Sequence, residues 1–308
     1  MARIATVVFA SLAVGLWAQQ APQKDAARIK VVPRAITTSK PELQRGPGDR
    51  VYLDEQGDVI AEGATLPDGR PFTFRIKKRV HIKPQITSAL RPGSAGYEYN
   101  FSVANGSGAQ QWIQLFWIDV NGSIDARMAP PYWRVYNIRP MPPQTNRVYI
   151  GRQAKDDDST GRLTAGSSTG PFTLASSWSP GLVRAQFVGY REPPSSTDKQ
   201  ENYESFAGNM SDWLREAINS ELTQDRNSVT AYTIGPKVKP GTPGVQAVRS
   251  ELQESARNAI FSLPERKEMM ALASMTNESE LRDGLRALHA SSSGLSSQFY
   301  SALLTYLP

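Results

Sequence analysis

Between residues 72 and 189, apolar and polar side chains alternate in short runs broken by glycine, proline and asparagine, a period of two that only extended strands satisfy. Tyr97, Tyr99, Phe101 and Val103 share one parity, with Glu98, Asn100 and Ser102 opposite. Residues 112–120 are apolar on both parities, as in a strand covered on both faces, with the C-terminal helices as one candidate cover. Over residues 72–83, Phe72, Phe74, Ile76, Val80 and Ile82 repeat the pattern, interrupted only by Lys78. Further strands are expected at 133–138, 147–150, 170–175, 182–189 and 229–234. Asn121-Gly122 reads as a two-residue hairpin turn, because both of its positions favour positive φ. Many short strands between turns predict an antiparallel β-sandwich.

Ahead of this block, Val51 to Leu53 and Val59 to Ala61 flank the turn-forming Glu55-Gln56-Gly57-Asp58, a small hairpin leading into a sheet. Behind it, Tyr203, Phe206, Met210, Trp213, Leu214, Ala217 and Ile218 recur at three- and four-residue steps, the stripe of a helix ending near Leu222. Residues 237–244 carry two prolines and two glycines, as a linker does. From residue 245 the pattern is helical. Val248, Leu252 and Ala256 form one stripe, Pro264 starts a second helix, Asn277 caps a third, and Leu295, Phe299, Leu303 and Leu307 belong to a fourth. The predicted fold is therefore α+β, mainly β. Residues 19–71 form an extended segment with a small hairpin, residues 72–236 a sandwich with a helix near 200–222, residues 237–244 a linker and residues 245–308 a helical unit.

The N-terminus predicts export. Arg3 precedes an apolar run over residues 4–17, and Ala18 offers a small residue for cleavage before Gln19-Gln20, the form of a secretory signal peptide. The run is short for a membrane span of about 20 residues, and no comparable stretch follows, so the mature chain is expected to lack an integral membrane segment and to be secreted or periplasmic. There is no cysteine, which removes disulfides and thiolate metal sites and leaves stability to packing. The net charge of +6, from 35 cationic and 29 anionic residues, falls by one with Arg3. That balance permits weak attraction to anionic polymers without identifying one.

Few residues point to chemistry. Gly166-Ser167-Ser168-Thr169-Gly170 matches the nucleophile elbow of hydrolases, but a polar stretch precedes it and Pro171-Phe172 opens a strand where a helix is needed. His81 and His289 are the only histidines that could serve Ser168 as a base. Asp119, Asn121, Ser123 and Asp125 have alternate calcium-loop spacing, yet glycine falls at the fourth position and Pro130 stands where the bidentate glutamate belongs. Asp156-Asp157-Asp158 is an acidic run whose adjacent members cannot all face one ion, and two separated histidines make a poor zinc site. No metal, cofactor or catalytic residue is assigned.

Two binding surfaces are expected. Arg75, Lys77, Arg79, His81 and Lys83 have one parity, so an unbroken strand would present a cationic row to an anionic ligand; edge strands also carry such charges merely to prevent aggregation. Trp112, Trp133 and Trp178 would stack on neutral glycan if exposed and coplanar, although most aromatics in a sandwich are core. The partners considered are an anionic or neutral envelope polysaccharide, another envelope protein, and a second copy of the chain through the apolar C-terminal helices. A hydrolase of extracellular polymer is the alternative to a non-catalytic binding or structural role.

The words Tyr97-Glu98-Tyr99-Asn100-Phe101-Ser102-Val103-Ala104-Asn105, Pro130-Pro131-Tyr132-Trp133 and Phe172-Thr173-Leu174-Ala175-Ser176-Ser177-Trp178-Ser179-Pro180-Gly181 resemble those of a group of uncharacterised bacterial secreted proteins. The resemblance spans residues 86–236 and implies an immunoglobulin-like sandwich followed by helices. It departs at Tyr132-Trp133, where glycine commonly precedes tryptophan, and at the helix inserted over 203–222. It brings no catalytic residue.

Overall fold

The computed structural model describes residues 34–35, 43–65, 69, 71–94, 96–142, 145–153, 158–190, 210–223 and 226–307. The signal-like residues 1–18, Asp156 and Asp157, and the Tyr203 and Phe206 end of the helical stripe lie outside them.

Four short strands open the fold: β1 (Arg34–Ala35), β2 (Arg50–Leu53), β3 (Val59–Thr65) and β4 (Pro71–Ile76), ordered β1-β2-β3-β4 and antiparallel throughout. The turn between β2 and β3 closes around Asp54, whose Oδ1 accepts from Gln56 N and Asp58 N, with Gly57 at φ +83°. Val51, Val59, Ala61, Ala64 and Ile76 form the buried face of this sheet. Its cover is helix α1 (Asp212–Glu221), which lays Trp213, Leu214, Ala217 and Ile218 on it and is capped by Ser211 Oγ accepting from Leu214 N at 3.1 Å.

This corrects two expectations. The helix packs on the small sheet, not within the sandwich, and the strand expected over 72–83 stops at Ile76. The break comes at Lys78, the one residue out of step with the alternation. Its ammonium is buried 3.4 Å from Glu221 at the end of α1, and its N–H donates to Asp58 Oδ1 at 2.8 Å. Burying that charge requires its partner and turns the chain out of the sheet.

The sandwich follows, among the described residues, in nine strands: β5 (Pro84–Gly93), β6 (Gly96–Asn105), β7 (Ile113–Asn121), β8 (Asp125–Met128), β9 (Trp133–Met141), β10 (Thr145–Arg152), β11 (Ser168–Ser176), β12 (Ser179–Gly189) and β13 (Val229–Val238). One sheet has the order β13-β12-β7-β10-β9 and the other β5-β6-β11-β8, with every pairing antiparallel. The inward residues of both sheets meet in one core, in which Phe116 stacks on Phe187 and meets Phe172 edge-on, each at 5.2 Å between ring centroids. Asn121-Gly122 does not make the expected hairpin, because β7 and β8 belong to different sheets. The turn instead carries the chain across the sandwich: Asn121 Nδ2 donates to Lys237 O, and Gly122, at φ +71°, lies so close to Trp178 that a Cβ would overlap the indole.

Helices α2 (Gly244–Ser255), α3 (Leu263–Ser274), α4 (Glu278–Ser291) and α5 (Gly294–Leu304) end the chain where periodicity placed them, with Pro264 in the first turn of α3 and Asn277 Oδ1 accepting from Ser279 N at the start of α4. Their shared core docks on Leu182 and Ile234, cross-strand partners of β12 and β13, and not on β7. Of the apolar residues behind the expectation of self-association, Phe299, Tyr300, Leu303 and Leu307 are buried in this core, and Leu295 and Leu304 are partly buried against it. No helix among the described residues is long and apolar enough to cross a membrane. Glu251 of α2 anchors the docking by accepting from Leu182 N at 3.1 Å, with Lys237 Nζ 3.1 Å from its other oxygen. Burial raises its pKa above the ordinary glutamate value, against the lowering effect of Lys237.

Phe116→Ala is expected to cost about 3–5 kcal/mol of stability by urea denaturation, as a large core truncation does. The raised pKa of Glu251 means the folded chain binds this proton more tightly than the unfolded chain. The resulting stability is present below the ordinary glutamate pKa and lost as pH rises through the raised value. Glu251→Gln should therefore flatten the decline of the urea midpoint between acidic and mildly alkaline buffer; an unchanged slope would count against it.

Candidate functional site

Packing the apolar side of the five-stranded sheet into the core turns the other parity outward. On β7, Phe116, Ile118 and Val120 face in, which leaves Trp117 and Asp119 on the opposite side; on β10, Val148 and Ile150 face in, which turns Arg147 and Tyr149 out. Register then aligns these positions across the sheet. Arg139 of β9 pairs with Arg147 of β10, and Arg147 pairs with Asp119 of β7. The pairs Ala185 with Ile118 and Gln186 with Trp117 bring Arg184 of β12 to the other side of Asp119. A transverse row results, Arg139, Arg147, Asp119, Arg184, with three guanidinium groups and one carboxylate.

Asp119 holds two of the three. Arg147 Nε and Nη2 donate to its Oδ1 and Oδ2 at 2.7 and 3.2 Å, and Arg184 Nη2 donates to Oδ2 at 2.9 Å. The Asp119 hydrogen bond raises the pKa of Arg147 further above its ordinary value. The Arg139 side chain is exposed and makes no hydrogen bond or ion pair with the described residues. Beside the row, Tyr149, Trp117 and Gln186 form a second line. The Trp117 and Tyr149 rings lie 5.8 Å apart, and the Arg147 guanidinium sits 5.4 Å from the Trp117 ring centroid.

At the β9–β10 side the same face deepens into an open cleft of about 580 Å³, lined by Arg79, Gln114, Leu115, Tyr136, Arg139, Tyr149, Gly151 and Arg152. Gly151 lets the Tyr136 ring and Leu115 approach the strand closely, since a Cβ there would force the ring to shift. Arg79 is oriented by Nε donating to Gly189 O at 2.7 Å and Nη2 donating to Gln114 Oε1. Arg152 donates from Nε to Thr160 O at 2.9 Å and from Nη2 to Asp158 O, and its own carbonyl accepts from Tyr136 Oη at 2.6 Å. These carbonyl and amide oxygens fix the direction of each guanidinium, and Arg152, after the hydrogen bonds from Thr160, also lowers the pKa of the Asp158 carboxylate. Among the described residues, no carboxylate lines the cleft.

The residues expected to form a cationic row do not form one. Arg75, on β4, is paired to Asp54 and Asp58 at 2.9 and 2.8 Å. His81 Nε2 lies 2.6 Å from Asp58 Oδ1. Lys77 and Lys83 are exposed on the segment between β4 and β5, where Lys83 N donates to Asn105 Oδ1. Arg79 alone reaches the cleft, because the strand ends before it.

Nor do the tryptophans form a platform. Trp133 is a core residue packed on Phe116 and Phe172, with Nε1 donating to Gly161 O at 3.1 Å. Trp112 is buried against Tyr190, with Arg152 and Arg162 at 5.4 Å from its ring. Trp178 is half-buried at the far end of β7 from Trp112, about 30 Å away at strand rise. It lines a separate hollow with Gly122, Pro140, Met141, Pro142, Thr145 and Asn146.

Ser168 lies exposed at the start of β11 with no helix behind it, and neither histidine hydrogen-bonds to it. Among the described residues, no group of three His, Asp or Glu side chains could hold a metal. Arg139, Arg147, Arg184, Tyr136 and Tyr149 escaped the sequence reading, although their parity within the expected strands carried a signal: Arg147 and Tyr149 alternate with Val148 and Ile150. No protein-family model matches the chain, and no curated protein sequence is similar to it.

Asp119→Asn should lower stability by about 1–3 kcal/mol in urea, since it weakens charged hydrogen bonds from both arginines in a half-covered setting. A midpoint equal to the wild type would show that the carboxylate does not hold the row.

Proposed function

We propose that the chain is an exported, non-catalytic binding protein whose outward sheet face takes an anionic ligand of the kind carried by acidic envelope polysaccharides. The carrying observation is the cleft itself: Arg79, Arg139 and two tyrosines line it beside the buried Arg152, with no carboxylate among its described lining residues. Guanidinium forks suit carboxylate and phosphate oxygens, and tyrosine rings suit the apolar face of a sugar. Arg79 is held in place before any ligand arrives, which lowers the ordering cost of binding. The signal-like N-terminus supports export, and a moderately basic chain supports attraction to an anionic surface.

On a heparin column, Arg139→Gln should elute at lower salt than the wild type and at lower salt than Lys267→Gln, which removes the same charge from an exposed position on α3. Co-elution of the two variants would reduce the effect to net charge and sink the assignment of the cleft.

A further inference from the structure

The cleft and the transverse row share Arg139, so the positive surface continues from the cleft across four strands to Arg184. Neighbouring strands are about 4.8 Å apart, which puts Arg184 about 14 Å from Arg139. The middle of the row is recessed, with the Arg147 and Asp119 side chains 11% and 13% exposed. Its ends are open: the Arg184 side chain is 43% exposed, and Arg139 is exposed at the cleft mouth. A single small anion in the cleft cannot also reach Arg184.

We propose that the ligand is a linear polyuronate, lying across the strands with one end in the cleft and its continuation over Arg184, a reading that rests on the anionic-ligand function above. The strand spacing is close to the length of one pyranose along a chain, so successive carboxylates can meet guanidinium groups at intervals of a few strands. Asp119 fixes the forks of Arg147 and Arg184 while leaving the row with a net charge of two, three arginines less one aspartate. The aromatic neighbours favour sugar over single-stranded nucleic acid. Base stacking needs a series of open rings, whereas Trp117 is 1% exposed, Tyr149 is partly covered, and Tyr136, 44% exposed, carries the Arg134 guanidinium 4.3 Å from its ring centroid.

Isothermal titration at low salt with an oligogalacturonate trimer and decamer tests this. The decamer should bind the wild type at least about tenfold more tightly than the trimer, the scale of one added charged hydrogen bond. Arg184→Gln should erase that gain and leave the trimer unchanged, and Arg184→Lys, which keeps the charge and loses the fork, should fall between. Equal affinity for trimer and decamer, or a decamer indifferent to Arg184→Gln, would overturn the polymer inference while the anionic cleft stands. Binding of neither would remove the anionic reading itself. A single-stranded DNA decamer bound as tightly as the oligogalacturonate would overturn the choice of a sugar polymer.

Discussion

The ring of Phe116, stacked on Phe187 and meeting Phe172 edge-on, is the constraint on which the outer surface depends. Side chains along a strand alternate between faces, so a slip of one residue in β7 would drive Asp119 into the core and expose Ile118. The apolar contacts therefore also fix which charges meet on the far side of the sheet. Arg147 and Arg184 converge on Asp119 because Val148 and Ala185, their neighbours in sequence, are held in the core.

A second polar centre joins the small sheet to the sandwich. Asp58 is 1% exposed, yet its carboxylate accepts from Arg75 Nη2 and Lys78 N and lies 2.6 Å from His81 Nε2. Buried carboxylates are tolerated when their oxygens are met by donors, and here these come from Arg75 of β4 and from Lys78 and His81 on the segment linking β4 to β5. Nearby, Lys78 meets Glu221 and Arg79 N meets Asn227 Oδ1, so the same few residues also tie in α1 and the start of β13. The direction of Arg79 into the cleft is a consequence of this joint.

Much of the fold was legible because it rests on local periodicity. The alternation at Tyr97, Tyr99, Phe101 and Val103 marked β6, and Pro264 and Asn277 marked helix starts, since capping and face polarity act within a few residues. The failures were of two kinds. At Lys78 a single charge outweighed the period of two, because its partner Glu221 lies far along the chain and one residue gives no sign of it. The arginine row was invisible for a related reason. Its members come from four strands, and Asp119 and Arg184 stand 65 residues apart, so only strand order and register make them neighbours. The parity of each was readable; the adjacency was not.

The placement of α1 bears on how the chain acquires its shape. The helix that seals the N-terminal sheet is encoded after twelve of the thirteen strands among the described residues, so Val51, Val59, Ala61 and Ile76 stay uncovered until nearly the whole sandwich has been made. Closing so long a loop is entropically slow, and strands made before the sandwich become among the last parts to be protected. Until α1 arrives, the apolar face of that sheet is open to association with other chains, a hazard that late closure alone removes.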